Sequence, residues 1–375
     1  MKILFTGGGT GGHFYPIIAV AEEINALVEE RKLLRPSLYY MGPTPFEERL
    51  LFENGIEFRK SPAGKLRHYF SLFNITDAVK TAYGILKALF QVFSIYPDVV
   101  FSKGGYASFP TVLAARLFKI PLVIHESDAL PGKVNRFAGK FANRIAIAYP
   151  EAVRFFPKDK TALVGNPVRK ALRTVAREGA YEFLHLSPEL PVILALGGSQ
   201  GARKLNDILL GALPELLERF QVIHQTGDTL FKEVESTARV ILEKHPHANR
   251  YKVFPYLNEL ALRMSAGVAA VILSRAGSGA IFEIAQWGIP SIIVPLPELV
   301  SHDQTKNAFT YARSGAAVVI EQDNLTSHLL VSEITRLVDN QPVREKMKEG
   351  ARSFAKPKAA REIAEAIIDL ALKHE

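Results

Sequence analysis

The chain has 375 residues, 48% hydrophobic and 22% charged, a balance typical of folded globular proteins and a length that allows two separate cores. It contains no cysteine, which excludes disulfides, thiolate metal sites and a cysteine nucleophile. A formal charge of +8 suits a polyanionic partner such as nucleic acid, anionic lipid or a phosphorylated substrate, but the basic residues are spread along the chain and no nucleic-acid-binding motif accompanies them.

Residues 2–5 form an apolar run that reads as a strand, with no basic and apolar leader before it, so no secretory signal is expected. Thr6-Gly7-Gly8-Gly9-Thr10-Gly11-Gly12-His13 follows, and a helical pattern runs on from Pro16. A loop almost without side chains lets backbone N–H groups approach an anionic or sugar ligand, and the helix N-terminus adds partial positive charge. His13 at its lip is a candidate base, although an imidazole there can equally hold the turn by bonding to the backbone. Gly7, Gly9 and Gly12 match the spacing of the dinucleotide fingerprint. The next strand, 38–41, ends in Gly42-Pro43 where that fingerprint needs an acidic residue for the ribose, so a nicotinamide cofactor is not expected. A P-loop is absent as well, because no glycine loop continues into Lys-Ser or Lys-Thr.

Residues 64–73 interleave Lys65, Arg67 and His68 with Tyr69, Phe70 and Phe73, a composition that suits either a membrane-surface contact or an ordinary lid. Ile75, Val79, Tyr83, Leu86, Phe90 and Phe93 then recur at helical spacing and are expected to face the core. The apolar stretch 85–101 is interrupted by Lys87, Gln91, Pro97 and Asp98 and does not read as a membrane span.

Strands are expected at 99–102, 122–125 and 144–147, with Ser102-Lys103-Gly104-Gly105-Tyr106 and His125-Glu126-Ser127-Asp128 at the ends of the first two. Turn residues at Gly165-Asn166-Pro167 mark a junction ahead of an amphipathic stretch, 169–182. The opening pattern then restarts: strand 192–196, the loop Gly197-Gly198-Ser199-Gln200-Gly201, and a helix. Further strands are expected at 220–225, 251–253, 271–274 and 291–294. Gly277-Ser278-Gly279 leads into a helix carrying Glu283. The whole reads as an α/β chain of two Rossmann-like, doubly wound parallel-sheet domains, 1–165 and 166–355, facing across a cleft, with ligands at the carboxyl ends of the strands. A last helix, about 356–375, is expected to pack back on the first domain.

Ser199 can donate to phosphate oxygens or simply cap the following helix, and Glu283 can hold a ribose diol or simply favour the first turns of its helix. No Asp-x-Asp or His-x-x-x-His pair is present to bridge a metal to a diphosphate, which favours a transferase that needs neither metal nor other cofactor.

Six motifs in order, 8–13, 103–106, His125-Glu126 with Pro131, Gly132 and Asn135, 165–169, 197–202 and Asp303-Gln304 with Asn307-Ala308, resemble the MurG family of GT-B glycosyltransferases over nearly the full length. The resemblance implies an inverting transfer of N-acetylglucosamine from UDP-GlcNAc to the 4-hydroxyl of MurNAc in undecaprenyl-linked lipid I, giving lipid II. Related readings are a diacylglycerol-type lipid glycosyltransferase, a UDP-GlcNAc 2-epimerase, and a nucleotide-sugar-binding protein without turnover.

By position, the resemblance makes His13 the base and places Thr10, Gly11 and Gly12 near the donor sugar and phosphates. Arg169 and Ser199 fall near the nucleotide, Leu257 beside the uracil through its backbone, Gly277 and Ser278 at the leaving UDP, Glu283 at the ribose and Gln304 at the sugar hydroxyls. Tyr106, His125, Glu126 and Asn135 fall on the acceptor side. Asp128 occupies a donor-contact position where many relatives carry an amide, and Asp303 stands where a histidine or glutamine is common. The resemblance further implies an acceptor- and membrane-side first domain, a donor-binding second domain, peripheral attachment to an anionic membrane at the cytoplasmic face, and cell-wall synthesis proteins as partners.

Overall fold

The computed structural model describes residues 1–64, 73–198, 201–298, 301 and 303–374, with the side chains of 73–79 and 374 excepted. Two compact units result: Met1–Lys170 with Lys356–Glu375, and Ala171–Ala355.

The first unit carries seven strands: β1 (Lys2–Thr6), β2 (Ser37–Gly42), β3 (Ile56–Lys60), β4 (Val99–Ser102), β5 (Leu122–Glu126), β6 (Arg144–Ile147) and β7 (Thr161–Leu163). They pair in parallel in the order β3-β2-β1-β4-β5-β6-β7. The second unit has β8 (Val192–Leu196), β9 (Gln221–Gln225), β10 (Tyr251–Phe254), β11 (Ala269–Arg275), β12 (Ser291–Val294) and β13 (Ala317–Val319), again parallel, in the order β10-β9-β8-β11-β12-β13.

Central strands of such sheets are covered on both faces, so they read as continuous apolar runs. Ile3-Leu4-Phe5, Val99-Val100-Phe101 and Leu122-Val123-Ile124 are all buried. Each sheet has its order reversal at its centre, beside β1 and β4 in one and β8 and β11 in the other, and ligands of doubly wound sheets gather beyond the strand ends there.

The last helix, Ala359–His374, belongs to the first unit, where Ile363, Ala364, Ile367, Ile368 and Ala371 share a core with Ile17, Val20 and Ile24 of the helix Gly11–Glu30. Ion pairs of Arg361 with Glu30 and of Arg31 with Asp369 run along the exposed margin. Exposed pairs contribute about 0–1 kcal/mol, so apolar burial holds this helix in place.

The amphipathic stretch 169–182 forms a 3-10 turn, Lys170–Arg173, and one helical turn, Ala180–Phe183. One expectation fails: the aromatic stripe of the helix Phe73–Ile95 is not core, since Tyr83, Leu86, Phe90 and Phe93 are 60%, 68%, 75% and 64% exposed. The buried side of that helix is Gly84, Ala88, Val92 and Ile95. A Cβ on Gly84 would stand 1.9 Å from the carbonyl oxygen of Pro62, so small residues set that contact. Helical spacing identifies residues that share a face, while the partner decides which face is covered. Ile75 and Val79 lie outside the described side chains, and most of the 64–73 loop lies outside the described residues.

Candidate active site

The first unit gathers its polar groups beyond β1, β4 and β5. Thr10 caps the helix Gly11–Glu30 in extended backbone, and its Oγ1 lies 2.9 Å from His13 Nδ1 in the first turn. Gly11 is half-buried and Gly12 exposed beside it. The imidazole sits between two glycines: a Cβ on Gly8 would lie 2.9 Å from Nδ1, and one on Gly105 would lie 3.2 Å from Nε2. Tyr106 follows, with its hydroxyl oxygen 3.6 Å from where a Cβ of Gly9 would stand. Burial, and next the positive charge of Lys103, push His13 down to about 3, so the imidazole is unprotonated at neutral pH. Thr10 Oγ1 can accept from Nδ1–H or donate to Nδ1; the tautomer in which Nδ1–H donates leaves the lone pair on Nε2.

His125 and Glu126 are buried at the end of β5. His125 Nε2 donates to the Gly165 carbonyl at 2.8 Å, tying β5 to a turn whose φ of +87° favours glycine. Burial first, then Lys103, hold this imidazole well below its ordinary range. Glu126 accepts from Asp128 N at 3.0 Å on one oxygen, and from Gly132 N at 3.1 Å and Asn135 Nδ2 at 2.9 Å on the other. The carboxylate therefore organises the 126–132 loop and aims Asn135, whose amide also donates to the His125 carbonyl at 3.0 Å. Asp128 is half-buried on the same loop. Burial, reinforced by the charge of Asp128, raises the Glu126 carboxyl above its ordinary range. Thr10, His13, Tyr106, His125, Glu126, Asp128 and Asn135 are thus placed at three adjacent strand ends.

Sequence reading passed over Lys103. It is 1% exposed, and Nζ has no hydrogen-bond partner among the described residues. A lysine directly after the strand-forming run Val99-Val100-Phe101-Ser102 and before two glycines, within the motif 103–106, was its signal. Arg169 is also in this unit, its guanidinium 4.6 Å above the Tyr15 ring.

In the second unit, Leu257 is buried after β10, and its N–H donates to Gln225 Oε1 at 3.0 Å. Only its carbonyl remains for a ligand. Beyond β11, Gly277 stands at the N-cap of the helix Ser278–Trp287 without a side-chain cap, leaving first-turn N–H groups open. Ser278 is buried and Glu283 half-buried on that helix. Gln304 opens the helix Gln304–Arg313, and its Oε1 accepts from Leu296 N at 3.1 Å, which leaves its amide NH2 to donate elsewhere. Ser199 lies outside the described residues.

Residues 3–147 match the glycosyltransferase family 28 N-terminal domain, and residues 192–365 match the family's C-terminal domain. The chain belongs to glycosyltransferase family 28. A curated relative from Treponema denticola is 36% identical over 88% of this chain and 86% of its own length. Another, from Halothermothrix orenii, is 34% identical over 99% of both chains. Both are named UDP-N-acetylglucosamine--N-acetylmuramyl-(pentapeptide) pyrophosphoryl-undecaprenol N-acetylglucosamine transferase. Among solved structures, Acinetobacter baumannii MurG superposes with a TM-score of 0.72 at 26% identity, covering 98% of this chain and 99% of that one. The Neisseria meningitidis UDP-GlcNAc 2-epimerase, with a TM-score of 0.67, 16% identity and full coverage of both chains at 100%, shares the fold. The two-sheet GT-B architecture and family membership expected from the motifs are both found.

Proposed function

We propose that this chain transfers N-acetylglucosamine, with inversion, from UDP-GlcNAc to the 4-hydroxyl of MurNAc in lipid I, producing lipid II. The observation that carries this reading is His13, an unprotonated imidazole at the head of a helix with Nδ1 2.9 Å from Thr10 Oγ1; in the tautomer in which Nδ1–H donates to that hydroxyl, Nε2 is the base. His13 takes the proton from the acceptor hydroxyl as that oxygen attacks the anomeric carbon, and UDP leaves with the bonding pair. Acceptor-side groups are Tyr106, His125, Glu126 and Asn135; Glu126 and His125 shape the strand-end loop, and Asn135 is held by them.

The second unit binds the donor. Open N–H groups and the dipole at Gly277 and Ser278 stabilise the leaving diphosphate, Glu283 accepts from the ribose hydroxyls, and the Leu257 carbonyl meets the uracil. Gln304 donates its amide to the sugar hydroxyls. Thr10, Gly11, Gly12, Asp128, Arg169 and Ser199 complete the donor contacts.

The chain works as a peripheral protein at the cytoplasmic face of an anionic membrane, beside other cell-wall synthesis proteins. No described helix is long and apolar enough to cross a membrane. The exposed Tyr83, Leu86, Phe90 and Phe93 of one helix face supply an apolar surface for the headgroup region, with exposed Lys80 on the same helix.

The test is UDP release from UDP-GlcNAc with and without a lipid I analogue. Acceptor-dependent release supports the reading, whereas transfer to diacylglycerol or conversion to UDP-ManNAc without acceptor refutes it. His13→Ala should lower kcat about a hundredfold to ten-thousandfold with an unchanged KM for UDP-GlcNAc. Native turnover in that variant removes His13 from the role.

A further inference from the structure

Lys103 follows β4, which lies between β1 and β5, so it stands between the loop of His13 and the loop of His125 and Glu126. Its N–H is held on the Thr6 carbonyl at 2.9 Å, and its side chain is buried. An ammonium has three donors, and leaving all of them dry in an interior is costly. Among the described residues no hydrogen bond reaches Nζ. Glu126 has both oxygens engaged by N–H groups of Asp128, Gly132 and Asn135. The other groups that face this space are His13 and Tyr106 on the loops after β1 and β4, and His125 and Asp128 on β5 and its loop; Lys133 and Arg136 of the next helix are exposed. The glycines at 104 and 105, at φ +81° and +79°, keep side chains out of the space beside the His13 ring and Asn135.

We propose that Lys103 is a positioning residue for the transfer: its uncovered ammonium holds His13 idle as a base until an anionic oxygen of the acceptor covers it. The proposal rests on His13 being the base. With Nζ uncovered, its field adds to burial in suppressing proton uptake by both imidazoles. An imidazole so weakened takes a proton from water poorly, and the donor is spared hydrolysis. When an anionic oxygen seats on Nζ the field is cancelled, and His13 regains basicity as the hydroxyl arrives. The hydroxyl proton then moves to Nε2, the oxygen bonds to the anomeric carbon, and UDP departs with the electron pair of the broken bond.

The experiment compares wild type, Lys103→Met and Lys103→Arg by 15N NMR of the His13 ring across pH, and by UDP release from UDP-GlcNAc without acceptor. Lys103→Met should protonate His13 at a higher pH than wild type. It should also speed acceptor-independent UDP release, by about threefold for each tenfold gain in basicity. Lys103→Arg keeps the charge and should follow wild type in both. In wild type, a water-soluble lipid I analogue should raise the pH at which His13 protonates, a measurement that needs no variant. Coincident His13 titrations in wild type and Lys103→Met, or with and without the analogue, overturn the proposal, as does unchanged hydrolysis. If the titration moves but His13→Gln transfers at the native rate, the base reading fails while the coupling of Lys103 to His13 stands.

Discussion

Gly105→Ala probes the geometry around the proposed base most directly. Gly105 sits at φ +79° and ψ 163°, a region that L-residues with a side chain occupy at a cost of about 1–3 kcal/mol. The new Cβ would stand 2.9 Å from Gly8 Cα, 3.2 Å from Gly8 N and 3.2 Å from His13 Nε2. Two of these neighbours are backbone, so the glycine loop has to move, and overpacking of this kind adds about 1–3 kcal/mol. The combined loss of about 2–6 kcal/mol corresponds to a fall in Tm of about 5–15 °C for unfolding of the first unit, Met1–Lys170 with Lys356–Glu375. Displacing His13 by about 1 Å should lower kcat about a hundredfold. The KM for UDP-GlcNAc should change less than kcat, because Leu257, Gly277, Ser278, Glu283 and Gln304 belong to the other unit, while Thr10, Gly11 and Gly12 share the displaced loop. The assay is steady-state UDP release with a lipid I analogue, beside thermal unfolding. Gly12→Ala is the stability control: Gly12 has no positive φ, and a methyl added there would meet no atom within 4 Å, so its Tm should be nearly native. A Gly105→Ala protein with native kcat and native Tm refutes the argument.

Glu126→Gln removes at least one of three hydrogen bonds, since an amide NH2 cannot accept, and the variant should be less stable than wild type in acid. Because burial raises the folded-state carboxyl above its ordinary 4.5, the stability tied to its bound proton is fully present below that value and is lost as pH rises towards neutrality. The urea-unfolding gap between wild type and Glu126→Gln should therefore narrow from acid to neutral pH, and a gap that widens contradicts the assignment. Gly84→Ala sets a methyl 1.9 Å from the Pro62 carbonyl oxygen and should destabilise the first unit by about 1–3 kcal/mol in the same assay. Phe90→Ser with Phe93→Ser alters exposed side chains and should change stability by about 0.5 kcal/mol or less per site. The same pair should weaken flotation with anionic liposomes, and undiminished flotation rules that face out as the membrane contact.

Much of the fold was legible because central strands advertise themselves. Val99-Val100-Phe101 and Val192-Ile193-Leu194 are apolar without interruption since helices cover both faces of each sheet. The strands that escaped, β3, β7 and β13, lie at sheet edges: exposed or half-exposed residues such as Glu57, Arg59 and Thr161 interrupt the pattern of β3 and β7, and β13 is only the three residues Ala317–Val319. In the candidate site, Thr10, His13 and the glycines could be read locally because a cap, a turn and a helix start depend on neighbours in sequence. Lys103 could not, since a lone lysine after a strand reads as a surface charge until the sheet places it under two other strand ends. The Phe73–Ile95 helix misled for a related reason. Its bulky residues lie on the open side and Gly84, Ala88 and Val92 on the covered one, so size and burial run opposite to the usual rule.

The sequence by itself determined two glycine-loop α/β units, the absence of thiol chemistry, a histidine at the first loop, and a run of motifs that places the chain in its family. These follow from local backbone chemistry and from apolar runs, which act over a few residues. Tertiary structure alone decided that Lys103 is buried with no hydrogen bond to its Nζ among the described residues, that Glu126 spends both oxygens on its own loop, and that the Leu257 N–H is taken by Gln225. It also decided which face of an amphipathic helix stays open. Such outcomes depend on segments tens of residues apart in the chain meeting at one sheet edge, where burial and hydrogen bonding set what a side chain can do.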